Sequence, residues 1–404
     1  MKTIIQNIVI AFIVISILLS LPYILKERDF KTYGDEQIRK TAISKGLKPI
    51  PNTYEDMIKV MDKKENPITR EKIALGKELF FDTKLSKNSD ISCATCHLIS
   101  KNQEEKKIIL NSITQKKKPN DMKNANNCVV CHLGDESGTD RLSTSIGDGG
   151  KENPHHLNTM TILNSSLAKF FTWGGEIKNI EGQIAESIQA PTQMNMKKEE
   201  LVKRLSEDNS YKELFNIAFK DPDSITFENI NKSIATYVRT LLTRSSFDKF
   251  LEGDNNAINP QAKQGLINFM NFGCSGCHTG MSVGGQSVQR FPLRHFAAIH
   301  DLRPNLGPAP DFEIIDNSFP FNNIGNYKGR ANTHFFRVPI LRNITKTSPY
   351  FHNGSVDKIK KAVEIMGRHQ LGLNLTNKQI DEIVAFLKTL EGNIVDYSSE
   401  GSSK

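Results

Sequence analysis

The sequence predicts a mainly α-helical protein, long enough for two or three domains, with a membrane helix at the N-terminus. Three observations lead there. Apolar residues recur at helical spacing through 176–251, 260–272 and 376–387. The pattern Cys-x-x-Cys-His occurs three times, as Cys93–His97, Cys128–His132 and Cys274–His278. The first 25 residues are largely apolar, and the 18 from Ile8 to Leu25 span about 27 Å as helix, enough to cross a bilayer with their flanks.

Residues 1–28 are expected to be this membrane anchor. A cleaved signal sequence is the competing reading; the run starts basic, but no Ala-x-Ala site follows it. Residues 29–66 are rich in Lys, Glu and Asp and read as a tether holding one short helix around Tyr54–Met61. From Thr69, the spacing of Ile73, Leu75, Leu79 and Phe80 predicts a helix that delivers the chain to Cys93. Residues 101–127 carry seven lysines and read as an exposed excursion ending at Cys128.

Beyond Glu176, Leu201, Leu205, Tyr211, Leu214 and Phe215 share helical faces, as do Ile230, Ile234, Tyr237, Val238 and Leu241. Pro260 opens a helix that runs towards Cys274, and residues 279–334 read as Gly-, Pro- and Asn-rich loops. Thr376 and Gln379 form a capping box before Ile380, Ile383, Val384 and Leu387, and Gly392 is read as the helix stop. The expected domains are 67–250, containing the insertion 101–137, and 251–392, followed by a flexible tail, 393–404.

The chemistry lies in the three cysteine motifs, which use all six cysteines. Each reads as a c-type haem attachment site: two thiols bond to the porphyrin vinyl groups and the adjacent histidine reaches the iron. A zinc site would need two Cys-x-x-Cys pairs brought together and gives no reason for a histidine after every pair. Disulfides are the third reading, but a 404-residue chain buries a substantial core without them. Three covalent haems on Cys93, Cys96, His97, Cys128, Cys131, His132, Cys274, Cys277 and His278 are therefore expected. Covalent haem attachment places the body in an export compartment, taken as the periplasm. A net charge of +8 made of dispersed lysines does not describe a nucleic-acid reader.

Longer motifs carry a resemblance. Leu79-Phe80-Phe81-Asp82 precedes Ser92–His97; far downstream come Phe336–Ile344, Pro349–Val356, Ala362–Met366 and Gln370–Gly372. Together, over roughly residues 67–392, these resemble the bacterial dihaem cytochrome c peroxidases and their methylamine-utilisation relatives. The resemblance implies two cytochrome c-like haem domains, here with an inserted third haem-binding segment and an N-terminal transmembrane helix. It implies hydrogen peroxide reduction at the N-terminal haem, with His97 as proximal ligand. Electrons would enter at the C-terminal haem, ligated by His278 and Met366, from a small c-type cytochrome or the membrane quinol pool. Trp173 falls at the family's inter-haem position, and Asn164, Thr347 and Pro349 at its calcium positions, the last two through backbone carbonyls. Methionine at 366 argues against the methylamine-utilisation branch, where tyrosine stands. The inner membrane and a second copy of the chain in a homodimer complete the expected partners.

The chain departs from the family in three places. The haem motif at Cys128 is added inside the N-terminal domain. Asp148 stands where many members carry a histidine that ligates the resting peroxidatic iron, which implies a site already open to peroxide; His155 or His156 is the alternative ligand. Gln193 stands at the catalytic glutamate position, and an amide orients peroxide but carries no proton between its oxygens. Gln183 has the same limitation, which leaves Glu176, Glu181 or Glu186 as substitute acids. Two functions follow: a haem peroxidase, or an electron-transfer or sensor protein with weak peroxide cleavage. Oxidation of another substrate is a third.

Overall fold

The computed structural model describes residues 33–99, 137–293 and 320–397. The expected membrane segment, most of the insertion with Cys128, Cys131 and His132, and the last seven residues of the expected tail lie outside these described residues. Among the described residues no helix is long and apolar enough to cross a membrane.

Two helical halves follow one another. Ahead of both come α1 (Asp35–Ser44) and α2 (Tyr54–Met61); the first holds α3 (Arg70–Phe81), the one-turn α4 (Cys93–Cys96), α5 (Ile180–Gln189), α6 (Lys198–Ser206), α7 (Asn209–Phe219) and α8 (Phe227–Arg239). After strand β1 (Thr243–Ser245), the second holds α9 (Ser246–Leu251), α10 (Pro260–Asn271), β2 (Val288–Arg290), β3 (Phe335–Arg337), α11 (Ile359–Leu371), α12 (Asn377–Lys388) and β4 (Gly392–Ile394). The start signals lie where the sequence placed them. Pro260 occupies the first turn of α10 behind an Asn259 cap, and Thr376 with Gln379 forms the capping box of α12.

Each half is built around one helix crossing. In the first, Leu75, Leu79 and Phe80 of α3 bury against Ile230, Ile234 and Val238 of α8. In the second, Leu266 and Phe269 of α10 meet Ile383, Phe386 and Leu387 of α12. A glycine lets the backbones approach in both. A Cβ on Gly76 would lie 2.0 Å from the Ser233 carbonyl oxygen, and one on Gly265 1.8 Å from that of Glu382.

The halves are tied at β1. Asn164 and Asn343 each adopt a left-handed backbone and begin a short 3-10 turn. Asn164 Nδ2 donates to Thr243 Oγ1 at 2.8 Å and Asn343 Nδ2 to the same oxygen at 3.0 Å. β4 closes on this point, pairing Ile394 with Thr243.

The segment expected as a tether does more than space. Ile38, Ala42 and Leu47 join the core of the second half, and Ile50, Met57 and Met61 pack with Tyr397. The high polar content of 29–66 hides this, because only some of its apolar residues are buried and others, Ile43 and Val60, face solvent. The expected tail likewise starts as β4, and Tyr397 is buried with its hydroxyl donating to the Pro51 carbonyl oxygen at 2.8 Å. Gly392 opens that strand and does not end α12, which stops at Lys388. Within the 279–334 loops, β2 forms and pairs antiparallel with β3, which follows them.

Candidate functional site

In the second half, Cys274 begins a 3-10 turn directly after the left-handed Gly273, bringing Cys277 and His278 back under α10. The His278 ring is 8% exposed, and burial holds its pKa down to about 4, so the imidazole is neutral. Its Nδ1 donates to the Pro339 carbonyl oxygen at 3.2 Å, which leaves the Nε2 lone pair for a metal. Burial pushes the Cys93 and Cys274 thiols up to about 12. All four described cysteines are free of disulfides.

A cavity of about 220 Å³ opens above this turn. Cys274, Cys277, His278, Met366, Phe269 and Trp173 all line it. Met366 comes from α11, which Gly372 ends in a left-handed cap. The expected ligand pair thus faces one predominantly apolar space, which fits a haem. The described residues contain no cluster of three or more His, Cys, Asp or Glu side chains able to hold a metal ion.

Trp173 lies between the halves. Its Nε1 donates to the Asn158 carbonyl oxygen at 2.8 Å, and its own carbonyl accepts from Arg337 N–H at 2.8 Å. The buried His352 ring lies 6.4 Å from it, edge to face, with Nε2 on Asn323 Oδ1 at 2.7 Å.

Of the three residues expected at a calcium site, Thr347 and Pro349 line this cavity, while the Asn164 side chain is engaged elsewhere. Asn164 spends both amide atoms on Thr243, accepting its N–H at 2.9 Å and donating to its hydroxyl at 2.8 Å. The asparagine beside Pro349 is Asn158, whose Nδ2 donates to the Pro349 carbonyl oxygen at 2.8 Å. Asn158, Thr347 and Pro349 line the same cavity. Nothing in the sequence separated Asn158 from Asn164, two asparagines of one loop.

In the first half, Ser92 and Thr95 cap the α4 turn, and His97 Nδ1 donates to the Gly138 carbonyl oxygen at 3.1 Å. Burial again holds this imidazole below its usual pKa. The two histidines of the described motifs therefore share one arrangement. Gln183 lies on α5; its Nε2 donates to Ser187 Oγ at 3.1 Å, and its buried Oε1 has no partner. Ser187 also accepts from Met194 N–H at 3.2 Å, which draws the Gln193-Met194 segment against the same helix.

Asp148 is 1% exposed and turned into a clasp. Its carboxylate accepts from Asn88 N at 2.9 Å and Nδ2 at 3.0 Å, while its own N–H donates to the Gln193 carbonyl oxygen at 2.6 Å. Burial, then the nearby Asp90, raises its pKa even though the Asn88 bonds lower it. The expected substitute acids are largely committed elsewhere. Glu181 is held by the buried Arg239 and accepts from Asn66 Nδ2 at 3.0 Å. Glu176 is exposed and accepts from the Thr172 hydroxyl in the turn that carries Trp173.

Comparison with known proteins agrees with this geometry. Residues 70–126 and 121–256 match the family model described as di-haem cytochrome c peroxidase. The chain is 34% identical to the cytochrome c551 peroxidase of Nitrosomonas europaea, over 80% of each chain. It is 31% identical to that of Pseudomonas aeruginosa, covering 86% of this chain and 84% of the relative. Against the methylamine utilization protein MauG of Methylorubrum extorquens, identity is 30% over 81% and 80% of the two chains. Among solved structures, a MauG-like protein associated with microbial copper homeostasis superposes with a TM-score of 0.60 at 23% identity, over 85% of this chain and 94% of that one. The diheme peroxidase BthA of Burkholderia thailandensis gives a TM-score of 0.55 at 17% identity, over 82% and 88%. These two likenesses concern the fold.

Proposed function

Because the chain belongs to the di-haem cytochrome c peroxidase and MauG family, we propose that it reduces hydrogen peroxide to water in the periplasm, with electrons from a c-type cytochrome or quinol entering at the C-terminal half. It is a peroxidase-like oxidoreductase carrying covalently bound c-type haem. One observation carries the electron-entry assignment: His278 and Met366 line a single apolar cavity that reaches Trp173. Bound haem iron supplies the electron chemistry and the site where peroxide is taken up.

The chain's own groups have distinct tasks. His278 and His97 would each hold a haem iron through Nε2, because Nδ1 is spent on a backbone carbonyl. A methionine sulfur at 366 favours the ferrous state, which suits an acceptor of electrons from a soluble donor. Trp173 joins the halves through the Asn158 and Arg337 backbones. Gln183 offers an unpaired acceptor to a peroxide O–H, and Gln193 adds orientation without proton transfer. Asp148, held on Asn88, would not serve as a ligand in place of the family's histidine, so unless His155 or His156 took that place no reductive priming would be needed. Calcium belongs on the Thr347 and Pro349 carbonyls, with Asn158 as the side chain supported by the geometry. A third haem on Cys128, Cys131 and His132, an inner-membrane anchor in residues 1–28 and a homodimer complete the reading.

The test is steady-state peroxide reduction by the haem-loaded chain, with calcium and a reduced small c-type cytochrome. Turnover of roughly 1–10³ s⁻¹ is expected. A second reading, an electron-transfer or sensor protein with weak peroxidase activity, is favoured by Gln193 together with the commitment of Glu181 to Arg239. A rate no higher than that of exposed haem selects it.

A further inference from the structure

Three arginines in the described residues are almost fully buried. Arg239 and Arg342, 1% and 0% exposed, are each paired with a carboxylate, Glu181 and Asp248 respectively. Arg337, 4% exposed, pairs with none among the described residues. Its guanidinium donates to the Phe170 carbonyl oxygen at 3.3 Å through Nη1, and its Nε has no partner. Burial alone pulls its pKa down to about 10. Unlike the other two, Arg337 lines the cavity of His278 and Met366. A buried guanidinium without a counter-charge is strongly unfavourable, and since no described residue supplies one, the cavity that Arg337 lines is the place for it.

We propose that Arg337 is the carboxylate anchor of the C-terminal cofactor, donating a charge-assisted hydrogen bond to a propionate of the haem attached at Cys274 and Cys277. The proposal rests on the haem reading of this cavity. Haem is the occupant that brings carboxylates on an otherwise apolar body, matching one cation in an apolar wall, and a guanidinium fork suits a carboxylate. Arg337 N–H also donates to the Trp173 carbonyl oxygen at 2.8 Å, so the anchored edge lies on the side of the cavity facing the first half. The cation beside the iron stabilises the negative propionate and disfavours the extra positive charge of ferric haem, which raises the reduction potential.

The test uses the full haem-loaded chain. Mass measurement of the peptide spanning Cys274 and Cys277 first establishes attachment; a peptide without haem defeats the proposed function itself, and the anchor with it. With haem attached, Arg337→Gln is expected to lower the midpoint potential of the His/Met haem, while Arg337→Lys keeps it near the native value. A packing role would not give this dependence on charge. An unchanged potential in a folded, haem-bearing Arg337→Gln overturns the proposal. Should that variant not fold, a crystal structure of the native holoprotein decides: a propionate oxygen within hydrogen-bond distance of the Arg337 guanidinium is expected. Both propionates held by other groups, or a free inorganic anion on Arg337, overturns it.

Discussion

At Gln193 an amide occupies the place from which a carboxylate would carry a proton between the peroxide oxygens. Gln193→Glu is therefore expected to raise peroxide turnover by about 10²-fold or more, measured with the same reduced cytochrome donor. An unchanged rate would mean that another acid already serves. The two asparagines of the 158–164 loop separate by the same logic. Asn164→Ala removes a buried donor and a buried acceptor from Thr243 and should cost about 1–3 kcal/mol in denaturant unfolding, without altering the response to calcium. Asn158→Ala should raise the calcium concentration needed for full activity. Both asparagines look alike in sequence; only the positions of Thr243 and Pro349 in space distinguish a joint from a ligand.

The helices were the most legible elements. Caps such as Thr376 with Gln379, and apolar spacing such as Ile230, Ile234 and Val238, are local signals read within one turn or two. α1 and β4 were not legible, because each depends on a distant partner: Ile38 and Ala42 have a purpose only against Phe250 and Leu266. The clasp of Asp148 on Asn88 is equally non-local, bridging 60 positions. The glycines at the two crossings were also silent, since a glycine inside a helical pattern lowers confidence in it until its neighbour is seen. Gly76→Ala and Gly265→Ala should each force the crossing helices apart and cost about 1–3 kcal/mol, measured by denaturant unfolding. A change within 0.5 kcal/mol would show that the neighbouring backbone yields freely.

At the scale of the whole molecule, the Arg342–Asp248 pair joins several separate segments. Asp248 accepts from both Arg342 terminal nitrogens at 2.9 and 2.7 Å, from Ile50 N at 2.8 Å and from Ser245 N at 2.7 Å. Burial raises its carboxyl pKa, but the Arg342 charge and these hydrogen bonds outweigh that and hold it below the usual value. The pair's stabilising contribution is thus complete above the unfolded aspartate pKa of about 3.9 and is lost as pH falls through the lower folded value. Asp248→Asn should destabilise the chain by about 3–5 kcal/mol at pH 7 and flatten the acid limb of its stability curve below about pH 4. Equilibrium unfolding at several pH values checks both.

The paired crossings give both halves one frame. Each half sets a glycine of an early helix against the backbone of a late one, and each has an asparagine in left-handed conformation that reaches Thr243. A shared frame does not by itself divide labour between the halves. What differs lies around it: α11 with its methionine in one, and the Asp148 and Gln193 loops in the other.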